Sequence, residues 1–422
     1  MHKLPVIRKD IKRPFLTNQY YKRKIRGFIT LILWVNHKMS KHLLLGLLAV
    51  TGLWLKSQVR RDTLNRDIRV IFKSDENLEM RGTRIASRID SLLHPELRIG
   101  GYISTYYAHY DDLTENNNFV QFPTLAPRNN QFSLNMALIS MEYKSQFIRG
   151  NITLHYGDVP ESSWPAVFNL IQEAHAGIRL HKKLWFDAGF FKTHIGLGSF
   201  QPRENITSSM SIPDFYDPYF LSGMKLTYLA SRKLSIQLCM FNGYNEYVEN
   251  NRNKALDFSA SYNLNDNISF TYNFLTCDET PDAVKTKHQR YYQNLYGTFI
   301  YPKFTFGFDF NYGIQEHSLL SDTSKNASLF GGTLTFKYNL INQLAVYGRG
   351  EYFSDPNRIL IGTMDMGRYI KGTTAGIEYK PQPTVGLSAE WRILEADKMI
   401  FRREKVIINQ RNEFIVCLDL WF

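Results

Sequence analysis

"KFTFGFDFNYGI", residues 303–314, alternates with a period of two. Phe304, Phe306, Phe308, Phe310 and Tyr312 share one face of an extended segment, and Thr305, Gly307, Asp309, Asn311 and Gly313 share the other. The closing stretch "EFIVCLDLWF" (413–422) repeats the pattern. Phe414, Val416, Leu418, Leu420 and Phe422 oppose Ile415, Cys417, Asp419 and Trp421. Phe422 belongs to the apolar face, so a second protein layer or lipid has to cover it.

The same alternation recurs in "ALDFSASYNL", "NISFTYNF" and "TVGLSAEWRI". It predicts sixteen strands between 96–110 and 409–422, the seventh over 232–246. Tight turns are expected around Lys144-Ser145, Lys182, Ser231, Asn265, Pro302, Asn339-Leu340 and Pro381-Gln382. Longer connections (111–130, 158–171, 194–217, 247–253, 278–287, 317–326, 355–367 and 396–408) alternate with them. An even number of strands, with short turns at one rim and long loops at the other, is the layout of an outer-membrane barrel. The fold class expected is therefore all-β, a transmembrane antiparallel up-and-down β-barrel of about 16 strands. Only a closed sheet pairs every backbone group in lipid. Tyr262, Tyr301, Tyr338, Tyr379 and Phe422, near segment ends, fit an interfacial girdle. A soluble β-sandwich or propeller is the alternative, but long strands with polar second faces and no blade-length repeat fit it poorly.

Composition agrees. Aromatic residues make up 14% of the chain, and a mean hydropathy of −0.31 leaves no apolar run long enough for a membrane helix. The net charge of +12 suggests nucleic acid, yet residues 1–58 hold 12 basic residues and one acidic residue, Asp10. The remainder carries 39 basic and 38 acidic residues, and no nucleic-acid partner is expected. From Met39, "MSKHLLLGLLAVTGLWLKSQ" has the basic start, apolar core (Leu43–Trp54) and polar exit of a signal peptide. Residues 1–58 are thus read as a leader, with the start at Met39, signal peptide 39–58, and cleavage near Ser57 or Gln58. A membrane anchor is the alternative, but the core is too short to span. Residues 59–95 are read as a periplasmic segment, too short for a plug domain. The barrel itself is expected over 96–422.

The segment "LWFDAGFFKTHIGLGSFQPRENITSSMSIPDFYDPYFLSGMKLTY" (184–228) is the most specific. Its Gly189-Phe190-Phe191 strand leads into a loop with Gly196 and Gly198, then Asn205, Ser208-Ser209 and a Pro218-to-Gly223 return. With "LRIGGYISTYYAHY" and "GNITLHYGD", it resembles the OmpL-like family of β-barrel porins over about 96–422. Ser199-Phe200 stands where that family usually has an acidic residue after the loop glycine. The terminal Phe422 resembles the assembly signal of outer-membrane barrels in Gram-negative bacteria. These resemblances imply a channel in the cell outer membrane.

If aromatic faces meet lipid, the opposite faces line a lumen. The candidate pore-lining and constriction residues are Arg149, His155, Arg179, Asp187, Arg203, Glu204, Asp214, Asp217, Lys225, Asp257, Asp309, Lys337, Arg349, Glu351, Glu390 and Arg392. Asn151, His175, Glu378 and Asp419 share these faces. Charges of both signs would hold water and set a field for solutes, unless they neutralise one another in a closed lumen. Loop 194–217 is expected to fold inward as the constriction. The function expected is a porin for passive diffusion of small hydrophilic solutes; the alternative is an adhesin or receptor barrel acting through its loops.

No enzyme is expected, because isolated Ser, His and carboxylate residues form no catalytic motif. Cys239, Cys277 and Cys417 make no CxxC, and neither metal nor cofactor is expected. Partners expected are outer-membrane lipid, the barrel-assembly machinery, small hydrophilic solutes and, in a homotrimer, further copies of the chain.

Overall fold

A computed structural model describes residues 69–72, 96–112, 115–116, 119–120, 124–362 and 367–422. The leader 1–58 and most of 59–95 lie outside the described residues. The alternating segments form strands β1 (Glu96–Tyr110), β2 (Gln131–Lys144), β3 (Ile148–Tyr156), β4 (Ile171–His181), β5 (Leu184–Lys192) and β6 (Phe220–Leu229). There follow β7 (Leu234–Phe241), β8 (Ala255–Asn265), β9 (Ile268–Cys277), β10 (Arg290–Ile300) and β11 (Phe304–Gln315). The last are β12 (Ala327–Ile341), β13 (Leu344–Ser354), β14 (Ile370–Gln382), β15 (Val385–Ala396) and β16 (Gln410–Trp421).

Each strand pairs antiparallel with the next, and β1 also pairs with β16 from Tyr102 opposite Trp421 to Tyr110 opposite Glu413. The sheet therefore closes on itself as a sixteen-stranded barrel. Gly101 and Phe422 exchange backbone hydrogen bonds of 3.0 Å at the end of this seam. Beyond them a short strand, Arg69–Phe72, pairs in parallel with Glu96–Ile99.

The two faces separate as the alternation predicts. On β11, Phe310 and Tyr312 stand outward and exposed, while Asp309 and Asn311 are buried inside. Leu256, Leu334, Trp391 and Leu418 are exposed on other outer faces. Tyr262, Tyr301, Tyr338 and Tyr379 project at the short-turn rim.

Element boundaries differ from the sequence reading by three residues or more at two places. The seventh strand ends at Phe241, because Asn242 to Tyr247 fold over the mouth: Asn242 Nδ2 reaches the Tyr247 carbonyl (3.1 Å) and Tyr244 N reaches Glu279 (2.8 Å). The turn expected at Asn339-Leu340 lies at 342–343, because pairing continues to Ile341 opposite Leu344 past a bulge. A second bulge in β2 turns Asn135 inward, where its Nδ2 donates to the Leu125 carbonyl (2.5 Å).

The interior is more apolar near the long-loop rim than the sequence reading assumed. Val120, Ala126, Ile361 and Phe401 from the long connections pack with inward Tyr106, Tyr110, Phe353 and Leu394.

Candidate channel interior

Residues 193–219 connect β5 to β6 and meet the inner face of the barrel along much of its circumference. The segment starts with a tight turn in which Ile195 N donates to Thr193 Oγ1 (3.0 Å). Gly196 follows at φ +84°, and a Cβ there would collide with the Asp217 carboxylate, so the turn requires glycine. Gly196 N donates to Asn294 on β10 (3.1 Å) and Leu197 N to Asp309 on β11 (2.5 Å).

A bracket between Ser199 and Asn205 shapes the next turn. Ser199 N donates to Asn205 Oδ1 (2.7 Å), and Asn205 Nδ2 donates back to the Ser199 carbonyl (2.8 Å). The short 3-10 turn Pro202–Glu204 between them carries two charges. Arg203 reaches the β1–β16 seam, with its guanidinium 5.1 Å from the Tyr102 ring centre and 5.7 Å from that of Trp421. Glu204 pairs with Lys192 and accepts from Ser199 Oγ (2.6 Å). Burial by itself raises the Glu204 carboxyl, but the Lys192 ammonium and Arg203 guanidinium outweigh it and hold the pKa down to about 2.

The serine-rich stretch is the main anchor. Ser208 N and Ser209 N both donate to Glu390 Oε2 on β15 (3.1 Å each), and Ser209 Oγ donates to its other oxygen. Arg349 on β13 donates to Thr207 Oγ1 (2.8 Å) and to the Ser209 carbonyl (2.6 Å). Serine suits this place because it offers a hydroxyl as well as an N–H to one carboxylate. Ile212 N then donates to Glu351 Oε2 (2.7 Å). It opens a helical turn, Ile212–Tyr216, capped by Ser211, which accepts from Asp214 N (3.1 Å). Asp217 accepts from Tyr292 on β10.

Around these anchors the wall charges pair with one another. Arg392 grips Glu351 through two nitrogens (2.8 and 2.9 Å) and reaches Glu413 (3.4 Å). Arg411 continues the row to Glu413 (3.0 Å) and Asp112 (3.5 Å). All of these side chains are buried. Removing one member of such a row strands its partner, at about 3–5 kcal/mol. On the other side Arg149 pairs with Asp187 (2.6 Å), 4.6 Å from the Trp185 ring centre. Lys337 pairs with Glu378 (3.0 Å).

The remaining predicted residues have separate surroundings. His155 is buried against Trp164 (ring centres 4.7 Å apart) and so packs below the long-loop rim. Arg179 lies at the short-turn rim, bonding the carbonyls of Gln146 (3.3 Å) and Lys182 (2.6 Å). Lys225 lies 3.9 Å from the Phe191 ring centre. Asp214, Asp217 and Asp309 come together, each offering an oxygen within 4.8 Å of the others. Asp257 meets His194 at 2.7 Å.

Sequence reasoning missed Arg411 and Glu413, although the period of β16 carried back from Asp419 reaches both. It also missed His194, Ser208 and Ser209 as wall partners. Loop residues carry no periodicity from which such pairing could be read.

Residues 96–422 match the family model described as "Putative beta-barrel porin-2, OmpL-like". No match is found among curated proteins. Among solved structures, the chain is similar to the outer-membrane channel DcaP of Acinetobacter baumannii. That match has a TM-score of 0.55 and 9% identity, and covers 78% of this chain and 97% of that one. It is also similar to Salmonella typhi OmpF in complex with daunomycin, with a TM-score of 0.51 and 11% identity over 77% of this chain and 97% of that one.

Proposed function

The chain belongs to the OmpL-like β-barrel porin-2 family of the outer membrane, and on that premise we propose that it is a passive diffusion channel for small hydrophilic solutes. Segment 193–219 is its constriction. The observation that carries this reading is the set of hydrogen bonds from 193–219 to Asn294, Asp309, Arg349, Glu351 and Glu390, all inward on β10 to β15. A segment held this way narrows the lumen and sets its charges, Arg203 and Glu204 among them, in the solute path.

Single-channel recording in planar bilayers, with ion substitution, tests the proposal. The barrel should conduct in discrete steps, deletion of 201–212 should raise the step size, and Arg203→Glu should shift preference toward cations. A correctly assembled barrel that passes no current, yet binds a partner through its loops, would instead make it an adhesin or receptor.

A further inference from the structure

At the root of segment 193–219, three side chains of different chemistry meet. Cys239 on β7 and Asp257 on β8 are register partners, both inward and both buried. His194 descends on them from the segment. Its carbonyl accepts from Asn273 Nδ2 and Tyr296 OH (3.3 Å each), which fixes the backbone and aims the ring. Each residue offers one donor atom, and the three atoms lie within 4.8 Å of one another.

A bland reading is a His194–Asp257 hydrogen bond next to a buried thiol. It leaves the cluster unbalanced. With His194 Nε2 bonded to Asp257 Oδ1 at 2.7 Å, His194 Nδ1 is buried and finds no hydrogen-bond partner among the described residues, and the carboxylate of Asp257 has only the neighbouring Cys239 thiol besides. Buried polar atoms normally find one. Nitrogen, sulfur and oxygen lone pairs turned toward one small volume are what a metal cation satisfies.

We propose that His194, Cys239 and Asp257 bind a divalent ion of the zinc class. Thiolate and imidazole suit Zn²⁺ and its softer relatives and do not suit Mg²⁺ or Ca²⁺, which take oxygen. Three protein ligands leave a fourth position for water. On binding, the Cys239 thiol releases its proton to bulk water as the sulfur–metal bond forms. The imidazole coordinates as a neutral ligand through one lone pair, and Asp257 binds as the anion, so one thiolate and one carboxylate balance the dication. The His194 side chain is 15% exposed and gives the ion its entrance. A bound ion would fasten the root of the segment to the wall.

The test is direct binding to the detergent-solubilised barrel, which does not depend on conduction. Zn²⁺ is titrated by calorimetry, and Cd²⁺ by its thiolate charge-transfer absorption. One ion per chain is expected, with the Cd²⁺ band absent in Cys239→Ser and affinity lowered about tenfold or more in His194→Gln, by analogy with lost metal-site contacts. Cys277→Ser and Cys417→Ser should bind as the parent does. Heat-modifiable mobility reports folding of each variant; should Cys239→Ser fail to fold, His194→Gln, placed outside the strands, decides alone. Absence of saturable binding in the parent, or undiminished affinity in His194→Gln, overturns the proposal.

Discussion

Phe422 lays its ring over Gly101, which is close enough that a Cβ on Gly101 would collide with the ring. The ring covers backbone that glycine leaves bare, a known way of reinforcing a weak position in a strand pair. The terminal residue is therefore held by its side chain as well as by two backbone hydrogen bonds to the same glycine. Deleting Phe422 removes those bonds, each about 0.5–1.5 kcal/mol, together with the cover. Gly101→Leu keeps Phe422 and displaces its ring, at about 1–3 kcal/mol. Assembly in the outer membrane, read by heat-modifiable mobility and protease resistance, should fall in both variants while synthesis and export continue. Normal mobility in the Phe422 deletion would show that the residue has no assembly role.

At the scale of elements, strands and the segment between β5 and β6 were unequally legible. Strands such as β1 and β2 were read to their last residue because lipid outside and packing inside enforce a period of two. The turn at 342–343 was missed because "NLINQL" offers asparagine at both 339 and 342, and register along the neighbouring strand chooses between them. For the interior, the alternation places Glu390 and Arg349 on the inward, buried face, but it does not say what they hold. Partners in a loop are set by where the loop lands, and His194, Cys239 and Asp257 meet only because two strands and a loop converge. The clasp of Glu390 and Arg349 on Ser208-Ser209 carries a prediction of its own. Glu390→Gln keeps the shape and removes the charge, weakening bonds to a charged acceptor by about 1.5–3 kcal/mol. Recordings should then show added open-state noise, with the heat-modifiable transition unchanged. Quiet recordings identical to the parent would mean that the clasp does not restrain the segment.

Considered as a whole molecule, the barrel is a ring of paired strands with no free long edge, and it depends on every strand. Removing 410–422 takes away β16 and unpairs both β1 and β15. An open sheet in hydrocarbon leaves a row of N–H and C=O groups unsatisfied, each at a cost of several kcal/mol. Such a truncation should give no fifteen-stranded product: heat-modifiable mobility and protease resistance should vanish together. A protease-resistant truncated barrel in the membrane fraction would contradict this.

The seam has a consequence for how the chain reaches this state. Tyr102 and Asp419, hydrogen-bonded across it at 2.7 Å, are 317 residues apart in sequence. The pairing that completes the ring thus joins residues more than 300 apart in sequence and becomes available only after β16 has been synthesised. Chains that depend on distant pairings fold slowly, and meanwhile their unpaired strand edges invite aggregation. The same seam that gives the finished barrel its closure therefore imposes a waiting period, during which the alternating segments have to be kept from pairing with other chains.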